Sequence, residues 1–231
     1  MTDTEVALGA GPFHSDTRSV SERKREEIQR AALALFTRDG YERTSVDAIA
    51  AEAGVSKRTV YNHFGDKENL FLSVTQRTFT WMIGLVNELV GRHLDNLRDA
   101  SALEPTLVEM LLEMGRTITQ LPERAALIRL LITEARRFPV LTEPWRERGT
   151  VTDVIAARLT RLADRGLLVF DDPAQATQHL TALTLNQVNT RSLFGTFEIS
   201  AAEIEQVIRS GVHVFLLAYG PRARFLYIEG R

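Results

Sequence analysis

Thr44-Ser-Val-Asp-Ala-Ile-Ala-Ala-Glu-Ala-Gly-Val-Ser-Lys-Arg-Thr-Val-Tyr-Asn-His-Phe64 is the stretch on which the fold turns. A short helix starts at Thr44, with Asp47 three residues on as a box-like partner, and its buried face is Val46, Ile49, Ala50 and Ala53. Gly54 makes a tight turn, and a second short helix runs to Phe64. In that helix Val55, Val60 and Phe64 supply apolar anchors, which leaves Ser56, Lys57, Arg58, Thr59, Tyr61, Asn62 and His63 facing outward, every one able to hydrogen-bond. No acid occurs in 53–65, so the segment itself offers a phosphate backbone no repulsion.

These are helix-turn-helix proportions, and a helix of this width fits the DNA major groove, where base edges present distinguishable donors and acceptors. Arg58 and Lys57 suit guanine acceptors and Asn62 an adenine, while Tyr61, His63 and the helix amides capped by Thr44 suit phosphates. Lys67, opening the next helix, is placed for another phosphate contact. The competing reading of the same residues is the solvated face of an ordinary helical hairpin.

Outward from this segment the chain keeps the 3.6-residue period, and no stretch alternates convincingly with period two. Ser19-x-x-Glu22 has capping-box spacing, with Ser21 a rival cap. Ile28, Ala31, Ala32, Leu35 and Phe36 then form a helical stripe that Gly40 stops. Gly65 and Asp66 separate the recognition segment from a long fourth helix carrying Leu70, Phe71, Val74, Thr78, Trp81, Met82, Leu85 and Leu89, and reaching toward Leu97. At ~1.5 Å per residue, about 30 residues make a rod of ~45 Å, long enough to join two modules. Five further helices are expected over 105–120, 122–138, 143–165, 173–194 and 200–219, punctuated by Pro105, Pro122, Pro173, Gly166 and Gly220. The fold class expected is therefore all-α: a three-helix head over 21–66 and a larger helical bundle over 67–220, about nine helices in all, with a disordered tail over 1–20 and a short tail over 221–231. Residues 228–231 match a protease site used in removing expression tags and are set aside.

Composition narrows the function classes. The 231 residues include no cysteine, which excludes disulfides, cysteine-ligated zinc, iron–sulfur clusters and thiol catalysis. The five histidines (His14, His63, His93, His179 and His213) are scattered, and there is neither an HExxH motif nor a glycine-rich phosphate loop, so an enzyme is not expected and no cofactor is implied. A metal-responsive regulator using His179 or His213 with nearby carboxylates stays open as an alternative. No basic N-terminal leader or membrane-length apolar run is evident, and a cytoplasmic protein is the expectation. A net charge of −2 and a pI near 6.2 tell against a charge-driven, sequence-indifferent DNA binder. Residues 18–67 nonetheless carry ten basic against eight acidic side chains, so the head is the positive end of an acidic chain.

The run from Thr44 through Phe64 and on to Gly65-Asp-Lys-Glu-Asn-Leu70 resembles the signature of the TetR (tetracycline repressor) family of transcriptional regulators. Ala31-Ala-Leu-Ala-Leu-Phe-Thr-Arg-Asp-Gly-Tyr41 is similar to that family's first helix and its Gly-Tyr junction. The resemblance covers about residues 21–72. It implies a DNA-binding head, an all-helical effector-binding body and a homodimer that usually represses. It also implies DNA contacts at Thr44, Ser45, Ser56, Lys57, Arg58, Thr59, Tyr61, Asn62, His63 and Lys67, with Arg58 at a variable, specificity-setting position. Farther on, Glu134-Ala-Arg-Arg-Phe-Pro139, Gly166-Leu-Leu and Asp172-Pro173 are similar to a C-terminal subgroup associated with efflux regulators.

A cavity for a small apolar or amphipathic effector is what the family resemblance implies for the body. Its candidate lining residues are Trp81, Leu85, Met110, Met114, Phe138, Trp145, Asn186 and Asn189, each with plain core packing as the competing reading. Asn186 and Asn189 stand out as amides among leucines and valines, and a buried amide needs partners. The wide apolar faces of the last two helices, with Leu180, Leu183, Ile208, Val212, Phe215 and Leu216, suggest a four-helix dimer interface. Two heads one DNA turn apart, ~34–36 Å, would read a near-palindromic operator, and an effector tilting the fourth helix would change their spacing. A constitutive DNA binder without an effector is the other alternative.

Overall fold

A computed structural model of the chain describes residues 12, 19–118, 121–142 and 151–221. Among them the regular structure is helical: α1 Val20–Asp39, α2 Val46–Glu52, α3 Lys57–Phe64, α4 Lys67–Leu94, α5 Leu103–Glu113, α6 Pro122–Glu134, α7 Val151–Asp164, α8 Pro173–Leu183, α9 Leu185–Arg191 and α10 Ala201–Tyr219. Among the described residues each of the nine expected helices has a counterpart, residues 143–150 of the expected 143–165 lying outside them, and a tenth arises because residues 173–194 are not one helix. They break at Thr184 (φ −127°, ψ −92°), whose hydroxyl donates to the Leu180 carbonyl at 2.6 Å. The break lies where α10 comes closest: a Cβ on Gly211 would stand 2.2 Å from the Leu183 carbonyl oxygen, so only glycine lets the two backbones meet.

Two compact units divide the described chain, one gathering residues up to 85 with 126–146, the other 86–125 with those from 147 onward. In the first, the stripe Ile28, Ala31, Ala32, Leu35 and Phe36 is wholly buried against Val46, Ile49, Val60, Phe64, Leu70 and Phe71. Local signals set the helix ends. Ser19 accepts from the Glu22 amide while Glu22 accepts from the Ser19 amide, the reciprocal box, which leaves Ser21 inside the helix. Gly54 takes φ +63° in the turn between α2 and α3, a conformation open chiefly to glycine.

The start of α2 differs from the sequence reading by one residue. Ser45, not Thr44, is the N-cap, accepting from the Ala48 amide at 3.0 Å. Thr44 is buried, and its hydroxyl donates to the Gly40 and Leu35 carbonyls at 2.8 and 3.2 Å, tying the end of α1 to the start of α2.

In the second unit α5, α7, α8 and α10 pack around Leu107, Leu111, Ile155, Leu159, Leu180, Ile208, Val212 and Phe215, all fully or almost fully buried. Here the last turn of α4 is tied down twice. Glu113 accepts from Arg92 and pairs with His93 at 2.7 and 2.8 Å, and Asp95 faces Arg158 and Arg161 of α7 at 3.6 and 3.1 Å. Residues Met114–Ile118 continue α5 as a π-helical turn. Gly115 sits in that turn, where a Cβ would lie 3.0 Å from Ile204.

Candidate nucleic-acid interface

α3 is a capped helix with an apolar buried side and a polar outer one. Ser56 caps it, its hydroxyl oxygen accepting from the Thr59 amide at 3.1 Å and hydrogen-bonding the Thr59 hydroxyl at 2.8 Å. Val60 and Phe64 are buried, while Ser56, Lys57, Arg58, Tyr61 and Asn62 are exposed and Thr59 and His63 half-buried. Arg58 and Asn62 make no side-chain hydrogen bond or ion pair among the described residues, so their donors and acceptors are free for base edges.

From behind, α1 holds the far end of α3. Arg25 donates to the His63 carbonyl at 2.9 Å, and its guanidinium lies 4.3 Å from the centroid of the Phe64 ring. Arg25 thereby occupies an orphan carbonyl at the C-terminus of α3, where a cation is electrostatically favoured. Sequence reasoning missed it, because no local spacing links residues 25 and 63.

Two expected cations are already engaged. Lys57 donates to Asp47 at 2.8 Å across the α2–α3 turn, and this hydrogen bond and charge hold its pKa above the ordinary lysine value. The acid-free window of 53–65 is thus incomplete as a description of the surface, since packing of α2 on α3 brings in a carboxylate from outside it. Lys67 is half-buried, its Nζ 3.3 Å from the Glu42 carbonyl it donates to and 4.2 Å from the Tyr41 ring centroid, and burial lowers its pKa. Thr44 has its hydroxyl committed to the two carbonyls given above and caps no helix, whereas the Ser45 side chain, at the N-cap, stays exposed.

The expected effector-lining residues fall in both units. Trp81 packs half-buried against the core of the first, where Leu85 is buried too. Phe138 belongs to an aromatic cluster there, 4.9 Å from Tyr41 and 5.1 Å from Phe71 between ring centroids. Met110 and Met114 are buried in the second unit, where Asn186 is exposed. Asn189 is buried there, and its Oδ1 accepts no hydrogen bond among the described residues. Trp145 lies outside the described residues.

Of the six expected interface residues, Leu180, Ile208, Val212 and Phe215 are enclosed within their own unit, so their apolar stripe closes the core of one chain. Leu183 and Leu216 are half-buried. The apolar side chains left exposed on or beside these helices are Val214, Leu217, Leu193, Phe194 and Phe197. His179 hydrogen-bonds Tyr219 at 2.5 Å and His213 lies 4.0 Å from Glu104, and among the described residues no three His, Asp or Glu side chains gather as a metal site. No helix of the described residues is long and apolar enough to cross a membrane.

Comparison with known proteins agrees with this geometry at both ends of the chain. Residues 28–74 match the family described as bacterial regulatory proteins, tetR family, and residues 106–221 match the AefR-like transcriptional repressor C-terminal domain. The HTH-type transcriptional repressor AcnR of Corynebacterium glutamicum is 27% identical over 211 residues, 90% of this chain and 97% of that protein. The crystal structure of a protein described as a TetR-family transcriptional regulator from Mesorhizobium loti superposes with a TM-score of 0.78 at 32% identity, covering 88% of this chain and all of that one. The flavonoid-responsive regulator FrrA superposes at 0.62 with 31% identity, covering 87% of this chain and 98% of that one. With its head and its helical body both accounted for, the chain belongs to the TetR family of bacterial transcriptional regulators.

Proposed function

We propose that this protein is a homodimeric transcriptional repressor that lays α3 in the major groove of a near-palindromic operator and leaves it when a small amphipathic molecule binds the helical body. The observation that carries the reading is the outward face of α3, where Arg58 and Asn62 stand exposed and unpartnered on a helix fixed by Ser56 at one end and Arg25 at the other. Side chains of these types read guanine and adenine edges bidentately. The repressor name of AcnR supports the direction of control, and the flavonoid response of FrrA supports a small-molecule effector.

A second copy would meet the exposed Val214 and Leu217 of α10 and the Leu193–Phe194–Phe197 turn. Two copies of a 26.0 kDa chain would scatter light as a particle of about 52 kDa. The functional test selects an operator from a random-sequence duplex library and measures its affinity by fluorescence anisotropy. Arg58→Ala should weaken the selected operator by roughly 5- to 150-fold, the loss of one bidentate base contact, with the dimer mass unchanged. Undiminished operator affinity would remove α3 as the reading helix.

A further inference from the structure

We propose that Asp47 is a specificity residue: by holding the Lys57 ammonium it withholds one positive charge from sequence-independent phosphate contact and leaves base reading to Arg58. The inference rests on α3 being the DNA-reading helix. Asp47 stands in the first turn of α2 and Lys57 is the first residue of α3, and their charged atoms meet at 2.8 Å with side chains 67% and 50% exposed. The two helices beneath them share a buried core through Val46, Ile49 and Val60, so the carboxylate is presented to Lys57 by the fold itself.

Nonspecific affinity comes almost wholly from lysine and arginine neutralising phosphates. A lysine already neutralised adds nothing to that until its pair is opened. On random DNA no phosphate compensates for opening the pair better than Asp47 does, whereas Arg58, one residue on and unpartnered, is available at once. Lys67 differs, because the Glu42 carbonyl and the Tyr41 ring that hold its ammonium are uncharged and leave its charge in place. The pair at Lys57 thus lowers the free charge of α3 below what its composition suggests. Asp47 acts through Lys57 and is a positioning residue.

The experiment measures full-length protein by anisotropy against two probes, a selected operator duplex and a random-sequence duplex, over a range of salt. Asp47→Asn should tighten the random duplex about two- to fivefold, the range an exposed pair supports, and steepen its log K against log[salt] slope by ~0.9, one phosphate's worth. The operator should gain less, so the specificity ratio falls. Asp47→Glu should restore wild-type behaviour, and in a Lys57→Gln background, where no ammonium is left to free, Asp47→Asn should leave the slope unchanged. Lys57→Gln alone should leave the random-duplex slope as it is in wild type, since that ammonium is already held, a reading that stands even if Asp47→Asn folds poorly. An unchanged slope in Asp47→Asn, a slope that Asp47→Asn still steepens in the Lys57→Gln background, or a slope shallower by ~0.9 in Lys57→Gln alone overturns the proposal. Wild-type protein that binds neither duplex overturns the DNA-reading assignment as well.

Discussion

Replacing Phe138 with alanine separates two roles that its position after α6 leaves open, a wall of an effector site or a core residue. Phe138 is 3% exposed, and its ring meets Tyr41 edge-on at 4.9 Å and Phe71 at 5.1 Å. Tyr41 in turn stacks on Phe36 at 5.7 Å, and Arg137 lies 4.8 Å above its ring. Removing a ring from such a site costs about 3–5 kcal/mol, of which the two aromatic pairs account for ~0.5–1.5 kcal/mol each. At about 2–4 °C per kcal/mol for a chain of this size, melting should drop by roughly 6–20 °C. Circular-dichroism melts at one fixed protein concentration read the shift directly. Trp81, packed against the same cluster, gives a local fluorescence signal once Trp145 is replaced by Phe. Phe138→Leu should recover most of the loss. A melt within 2 °C of wild type would refute the core assignment and return Phe138 to the effector candidates.

Two other perturbations test the second unit. Burial pushes the Glu113 carboxyl up, but hydrogen bonds from His93 and Arg92 outweigh it and hold its pKa below the ordinary 4.5. The stabilisation is therefore complete above about pH 4.5 and lost as pH falls through the lower folded-state value. Urea midpoints between pH 6 and 3 should fall less steeply in Glu113→Gln than in wild type, and parallel profiles would count against the pair. Gly211→Ala must force α8 and α10 apart, at a cost of about 2 kcal/mol or more. Gly84→Ala, in the exposed middle of α4 with open space around it, should instead stabilise by up to ~1 kcal/mol. Similar melts for the two alanines would contradict the close crossing at Gly211.

The head was legible because its signals are local. The Ser19–Glu22 box, the Ile28–Phe36 stripe, the Gly54 turn and the outward residues of α3 are all set by neighbours within four positions. What the sequence hid depends on which helix arrives from elsewhere. Periodicity marks Leu180, Ile208, Val212 and Phe215 as one apolar face without saying whether α5 or a second copy covers it, and the chain's own core does so. The break at Thr184 follows from the approach of Gly211, 27 residues on, and no propensity at residue 184 announces it. The carboxylate on Lys57 was equally invisible, because Asp47 is ten residues away in sequence and 2.8 Å away in space. Asn189 lies between these cases: its burial was readable from the leucines and valines around it, its lack of a donor was not.

Arg25 sets a condition on transplanting the proposed reading helix into another scaffold. The aim of α3 is fixed at its far end by a guanidinium that comes from α1, 38 residues earlier, through the His63 carbonyl and the face of Phe64. A graft of residues 56–63 alone would carry the side chains proposed to touch bases and leave behind the mount that points them. A hybrid repressor made that way should bind with the host's angle and the donor's side chains, reading a sequence that belongs to neither parent. Moving Arg25 and Phe64 with the segment is what would make the specificity portable.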